Sequence, residues 1–191
     1  MTAGDMDGDG QDDLFIGSPQ EDGADADTGL VSIRYGIGVG TIDLVPEQSS
    51  LRQGAETTFE FTWTHPECWC ELETIHFRLA DDERVLFWAR FDVASRLLTM
   101  LDSERGLGRR EGAPGGRGVL RSRDMLLDLE RVELETSGPE GRTVTLRLSP
   151  RLVSHVPPGA YRIELLATDV HGNSQGFDQA GTLVVEGASG H

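Results

Sequence analysis

Short apolar runs that alternate with period two constrain this chain most. In RTVTLRLS (142–149), Val144, Leu146 and Leu148 fall on one face and Thr143, Thr145 and Arg147 on the other. Side chains on a strand point to opposite faces in turn, so this pattern fits a strand packed on one side and wet on the other. Further strand-like runs, several rich in β-branched and aromatic residues, recur at TIDLVP (41–46), TTFEFTW (57–63), ETIHFRLA (73–80), RVLFWARFD (84–92), SRLLTML (95–101), PPGAYRIELLATD (157–169) and AGTLVVEG (180–187). Turn signals such as ADDE (80–83) separate them. The spacing predicts roughly eight strands over 41–187 and an all-β sandwich.

Two stretches resist this reading. DSERGLGRREGAPGGRGVLRSRD (102–124) is rich in Gly and Arg and reads as a loop. DMLLDLERVELETSG (124–138) is ambiguous: Leu126, Leu129 and Val132 fall at helical spacing, Leu127 and Leu134 do not. The SGPEG turn and the neighbouring strands favour a strand from Leu127 to Thr136.

The N-terminus differs in kind. Residues 1–28 carry nine acidic side chains and no basic one. The sharpest motif is DMDGDGQDD (5–13). The carboxylates of Asp5, Asp7, Asp9 and Asp13, with the backbone carbonyl of Gln11, supply the oxygens a hard cation takes, and Gly10 supplies a tight turn. Calcium accepts six to eight oxygens in flexible geometry, whereas magnesium keeps its waters, so Ca2+ is the expected ion. Without a cation these carboxylates repel one another. The following acidic run, Glu21, Asp22, Asp25 and Asp27, has poor spacing and reads as a solvated loop.

This stretch resembles one FG-GAP repeat, the blade unit of integrin α-type β-propellers. Asp5, Asp7, Asp9, Gly10, Asp13 and Leu14 match its motif, IGSP (16–19) stands at its Gly-Ala-Pro signature, and TGLVSIRYG (28–36) looks like its closing strand. The resemblance implies calcium held by the Asp side chains. One repeat cannot build a ring. Residues 1–36 are therefore either part of the last blade of a larger propeller or a lone calcium-stabilised hairpin. GIGVG (36–40) is the candidate hinge before the second unit.

Residues 41–187 resemble bacterial immunoglobulin-like or fibronectin type III-like modules, chiefly through GAYRIELLATDVHGNSQGF (159–177). The resemblance makes Tyr161 the corner tyrosine, with ring packed and hydroxyl bonded to backbone, points Ile163, Leu165 and Ala167 at the core, and puts Gly172 in the turn. The expected fold is an immunoglobulin-like antiparallel β-sandwich with an N-terminal calcium-binding hairpin.

The formal charge is −16, which repels nucleic acid and anionic membranes and favours cations. No run reaches the ~20 apolar residues of a membrane helix, and MTAGDMDGDG lacks the features of a signal peptide. The calcium motif nevertheless favours a secreted or cell-surface protein. All 17 basic residues are arginine, which reads as codon bias in a GC-rich genome. Six of them, Arg105, Arg109, Arg110, Arg117, Arg121 and Arg123, crowd the 102–124 stretch and read as solvated.

Trp63, Trp69 and Trp88 are read as structural, Trp63 and Trp88 in the core and Trp69 on a loop. Cys68 and Cys70 are expected as free buried thiols or a short surface disulfide, rather than as metal ligands. No nucleophile elbow, zinc-protease motif or phosphate-binding loop is present, so no enzyme is expected. The expected function is a calcium-stabilised extracellular structural or adhesion module, pairing with other chains or copies of itself through surfaces or strand edges. The alternative is a carbohydrate-binding module stacking a sugar on Trp69.

Overall fold

The computed structural model describes residues 2–4, 13–18, 30–34, 38–52, 54–102, 106–153 and 156–187. Among these, the chain is all β apart from two single-turn 3-10 segments, Trp69–Glu71 and Leu129–Arg131. The first unit is a small antiparallel sheet of β1 (Thr2–Gly4), β2 (Asp13–Ser18) and β3 (Leu30–Arg34), in that order.

The remainder is a β-sandwich. Its strands are β4 (Thr41–Val45), β5 (Gln48–Arg52), β6 (Phe59–Thr64), β7 (Leu72–Ala80), β8 (Val85–Asp92), β9 (Leu97–Asp102) and β10 (Gly106–Gly112). They continue with β11 (Val119–Arg121), β12 (Met125–Asp128), β13 (Glu133–Thr136), β14 (Thr143–Leu148), β15 (Pro150–Leu152), β16 (Gly159–Asp169) and β17 (Ser174–Glu186). One sheet runs β13-β14-β6-β4 and the other β10-β9-β8-β7-β16-β17-β5. A third, β11-β12-β15, carries Leu120, Met125, Leu127 and Leu152 into the same core.

The chain changes sheets between β4 and β5. β4 pairs antiparallel with β6, the Val45–Pro46 peptide is cis, and β5 then pairs parallel with β17, Thr182 opposite Gln48. This is the one parallel pairing among the described strands, and no alternation signal in QSSLR announces it.

The core sits between the two large sheets. The Phe77 ring from β7 lies 5.6 Å from Phe59 and 5.8 Å from Phe61 on the facing sheet, and 5.7 Å edge-on from Phe87. Such ring pairs add directional stabilisation to the burial of large apolar areas. Val144, Leu146 and Leu148 are buried, as the alternation of β14 requires, and so are Ile163, Leu165 and Ala167 of β16. Tyr161 is 2 % exposed and donates its hydroxyl to the Pro157 carbonyl at 2.8 Å. Gly172 has φ +85° in the hairpin turn, the left-handed conformation that favours glycine.

Three expectations need correction. Residues 102–124 are not simply a loop: β10 extends the large sheet, and β11 opens the third one. Residues 124–138 hold neither one helix nor one strand. β12 and β13 belong to different sheets, and the 3-10 turn between them creates the helix-like spacing of Leu129 and Val132. The 36–40 hinge is, over 38–40, packed tightly: Val39 is buried and its carbonyl accepts the Trp63 indole N–H at 2.8 Å.

Candidate functional site

The expected metal site falls largely outside the described residues: Asp5, Asp7, Asp9 and Gln11 lie there, and only the backbone of Asp13 is described. The hairpin around them is informative. β1 and β2 pair with Thr2 opposite Phe15, Ala3 opposite Leu14 and Gly4 opposite Asp13. The Gly4–Asp13 pair is the last of this register before the connection 5–12, which lies outside the described residues. Among the described residues, no group of three or more His, Cys, Asp or Glu side chains is arranged to hold a metal.

The sandwich carries a polar–aromatic cluster on the outer face of its larger sheet. In β7, Ile75, Phe77 and Leu79 point inward, so His76 and Arg78 point outward. The same parity in β8 sends Phe87, Ala89 and Phe91 inward and Trp88 and Arg90 outward. Registers Arg78–Trp88 and Glu164–Arg78 place these side chains beside one another.

The cluster is closely bonded. Trp88 donates its indole N–H to His76 Nδ1 at 3.0 Å, which leaves the proton of the neutral imidazole on Nε2. Phe177 from β17 meets Trp88 edge-on at 5.7 Å. The Arg78 guanidinium lies 3.7 Å from the Phe177 ring centre and bonds Glu164, Nε to Oε2, at 2.6 Å. Arg162 donates to the other oxygen of Glu164 at 3.0 Å and reaches Asp82 at 2.5 Å. Burial, reinforced by the positive charge of Arg90, lowers the His76 pKa to about 4, so the ring is neutral at physiological pH.

A second concentration lies at one end of the sandwich, where the Trp69–Glu71 turn meets the β16–β17 hairpin. Cys68 and Cys70 form a disulfide there, one of the two states expected of them. His65 is 3 % exposed; its Nδ1 accepts the backbone N–H groups of Glu67 and Cys68, each at 3.2 Å. Burial lowers the His65 pKa against the opposing pull of Asp169, Glu71 and Glu67. Asp169 accepts the backbone N–H groups of His171 and Asn173 and the Asn173 amide, which hold its pKa low despite burial. His171 Nε2 lies 3.0 Å from Glu71.

The tryptophans separate clearly. Trp63 is fully buried, as expected. Trp88 is half-buried in the outer cluster rather than in the core. Trp69 is 5 % exposed, in the 3-10 turn, with its indole N–H on the Gly138 carbonyl at 2.7 Å. Sequence reasoning missed the outer cluster, although its signal was present: His76, Arg78, Trp88 and Arg90 share the outward parity of their strands.

The remaining surface offers a shallow depression lined by Glu56, Leu126, Asp128, Arg131, Ser149 and Arg151, where Arg131 pairs with Glu56 at 2.5 Å. Its lining holds no Ser–His or Cys–His pair. The free edges of the two large sheets among the described strands are β13 and β4, and β10 and β5. Edge β13 is charged: Arg147 of β14 pairs with Glu133 and Glu135 at 3.2 Å each and with Glu60 at 2.5 Å. No described helix is long and apolar enough to cross a membrane.

Among known proteins, the FG-GAP repeat model matches residues 1–33. No curated protein matches the chain. Two solved structures are similar at low levels. One chain, from a structural study of T cell specificity and activation by the bacterial superantigen toxic shock syndrome toxin-1, is 11 % identical. The alignment covers 77 % of this chain and 99 % of that one, with TM-score 0.37. The other, from work on AvmM, which catalyses macrocyclization in alchivemycin A biosynthesis, is 15 % identical, covering 80 % and 92 %, with TM-score 0.38. At such TM-scores neither likeness bears on fold or function.

Proposed function

We propose that this chain is a non-catalytic, calcium-stabilised extracellular structural or adhesion module, a piece of a larger surface or filament-forming protein. The observation that carries this reading is the coincidence of the FG-GAP match over 1–33 with a hairpin whose Gly4–Asp13 pair is the last before the acidic connection 5–12. Asp5, Asp7, Asp9 and Asp13 would hold Ca2+ through carboxylates and Gln11 through its carbonyl. The ion would neutralise their mutual repulsion and order the loop. FG-GAP repeats are typically extracellular, which supports the same placement for this chain.

The sandwich fits the reading as an immunoglobulin-like module of the variable type. In that scheme β13-β14-β6-β4 stand as strands D-E-B-A, and β5-β17-β16-β7-β8-β9 as A′-G-F-C-C′-C″. Tyr161, at the start of the F-like strand with its hydroxyl on the Pro157 carbonyl, supports this assignment. The chain departs from antibody domains in its core, where Phe61, Phe77 and Ile163 pack and no inter-sheet disulfide lies among the described residues. Contacts with other chains would use the free edges or the outer face of the large sheet. The glycan-binding alternative requires an exposed Trp69, and that ring is buried.

Calcium titration by calorimetry, with thermal unfolding in calcium and in chelator, tests the proposal. One saturable site is expected, lost in Asp7→Ala and Asp9→Ala, and calcium at about 100 times Kd should stabilise the folded hairpin by about 2.7 kcal/mol. Absence of binding heat at roughly millimolar calcium, in the range where extracellular modules bind, would overturn it.

A further inference from the structure

We propose that Cys68–Trp69–Cys70 is a thiol–disulfide exchange site, with a thiolate reductant as its substrate. The bridge spans a single intervening residue, with Cα atoms 5.1 Å apart. Closing so short a loop removes little freedom from the unfolded chain, so the bond is a poor structural staple. The turn is also fixed without it. Trp69 N–H donates to the Gly141 carbonyl at 2.9 Å, its indole N–H to Gly138 at 2.7 Å, and Glu71 N–H to the Cys68 carbonyl at 3.0 Å. Val170 N–H from the opposing hairpin holds the Glu71 carbonyl at 2.8 Å. A bond that adds little to a turn already held by other contacts can open without unfolding it.

The two sulfurs are unequal in ways that suit exchange. Cys70 is exposed, whereas Cys68 is half-buried behind it. Cys70 N–H points at Cys68 Sγ at 3.1 Å, a hydrogen bond that stabilises a thiolate there and makes Cys68 the better leaving group. The incoming thiolate attacks Cys70 Sγ, forming a mixed disulfide, and the electron pair of the broken S–S bond departs on Cys68. A second thiolate of the reductant then attacks the reductant's sulfur in the mixed disulfide and releases Cys70 as thiolate. Both cysteines take protons from water. The balance is two reductant thiols oxidised to one disulfide and one protein disulfide reduced to two thiols. The reduced Cys68 thiol finds an acceptor in the Pro139 carbonyl, 3.5 Å away.

The experiment equilibrates the full native chain with graded ratios of reduced to oxidised glutathione. Thiols are then trapped with a maleimide and counted by mass. The expected result is two thiols per chain appearing together under native conditions, with the β circular dichroism retained. Peptide mapping at short times should place the glutathione adduct on Cys70 over Cys68 by about tenfold, since attack falls on the accessible sulfur and expels the better leaving group. A Cys68→Ser/Cys70→Ser variant should melt within about 2 °C of the parent, a difference below 1 kcal/mol for a chain of this size. Reduction that requires denaturant, an adduct that favours Cys68, or a double variant that loses its fold would each overturn the assignment.

Discussion

Tyr161 offers the sharpest test of how the sandwich is held at its corner. Its ring is buried at the start of β16, and its hydroxyl spans back four residues to the Pro157 carbonyl. Burial raises the phenol pKa, so the hydroxyl remains a donor throughout the neutral range. Tyr161→Phe keeps the ring and removes only the hydrogen bond. Pro157 is exposed, so water can replace the lost donor at its carbonyl, and the loss should stay near the net value of one bond, about 1 kcal/mol. For a chain of this size that is about 3 °C in Tm. Tyr161→Ala removes the ring as well and should cost about 3–5 kcal/mol, the usual range for a buried aromatic. Urea unfolding of the three proteins, with equal m-values as the control for a common mechanism, measures both steps. The reasoning fails if the Phe variant matches the parent, or if it loses as much as the Ala variant.

Two further outcomes follow from the same geometry. His76 has a folded pKa of about 4 against 6.5 for the free side chain, so below pH 6.5 the unfolded state binds a proton that the folded state refuses. Stability should fall from about pH 6.5 towards pH 4, by about 1 kcal/mol at pH 5 after allowing for the partial exposure of the ring, with His65 adding in the same direction; thermal melts of His76→Gln should show a shallower decline. Gly40 and Gly172 both have positive φ, but a Cβ at Gly40 would meet the Thr64 carbonyl oxygen at 2.2 Å, whereas one at Gly172 meets nothing within 4 Å. Chemical unfolding should give about 3 kcal/mol or more for Gly40→Ala and about 1 kcal/mol for Gly172→Ala.

The all-β class was legible because β14 alternates strictly and β16 carries Tyr161, Ile163, Leu165 and Ala167 on one face, and such patterns are local. The sheet switch at β4–β5 was not, because parallel pairing of Gln48–Arg52 with β17 depends on a partner about 134 residues away and on no apolar period of its own. β10 escaped notice for a related reason: GLGRREG has turn composition, and its strand state comes from extending an existing sheet edge. The candidate metal loop can be proposed from sequence because its expected ligands are close in sequence; apart from the Asp13 backbone they lie outside the described residues. The outer cluster, drawn from β7, β8, β16 and β17, exists only once register sets Arg78 beside Trp88 and Glu164.

Trp88 shows why parity outweighs hydrophobicity in such strands. RVLFWARFD is apolar enough to read as wholly buried, yet one face of β8 holds Phe87, Ala89 and Phe91 while the other holds Trp88 and Arg90. The outward face tolerates a tryptophan because it supplies what the indole requires: His76 Nδ1 for the N–H, Phe177 for the ring edge and the Arg78 guanidinium 5.8 Å from the ring centre. Trp63 meets the same requirement differently, with the core around its ring and the Val39 carbonyl on its N–H. That bond ties the chain to the sandwich immediately before β4. A cation bound in the proposed loop would stabilise only what unfolds cooperatively with that loop. With residues 38–40 packed against β6, the sandwich holds its own end of the link to the N-terminal hairpin. Trp63→Phe, which removes that bond and keeps an aromatic in the core, would therefore loosen the link at its sandwich end.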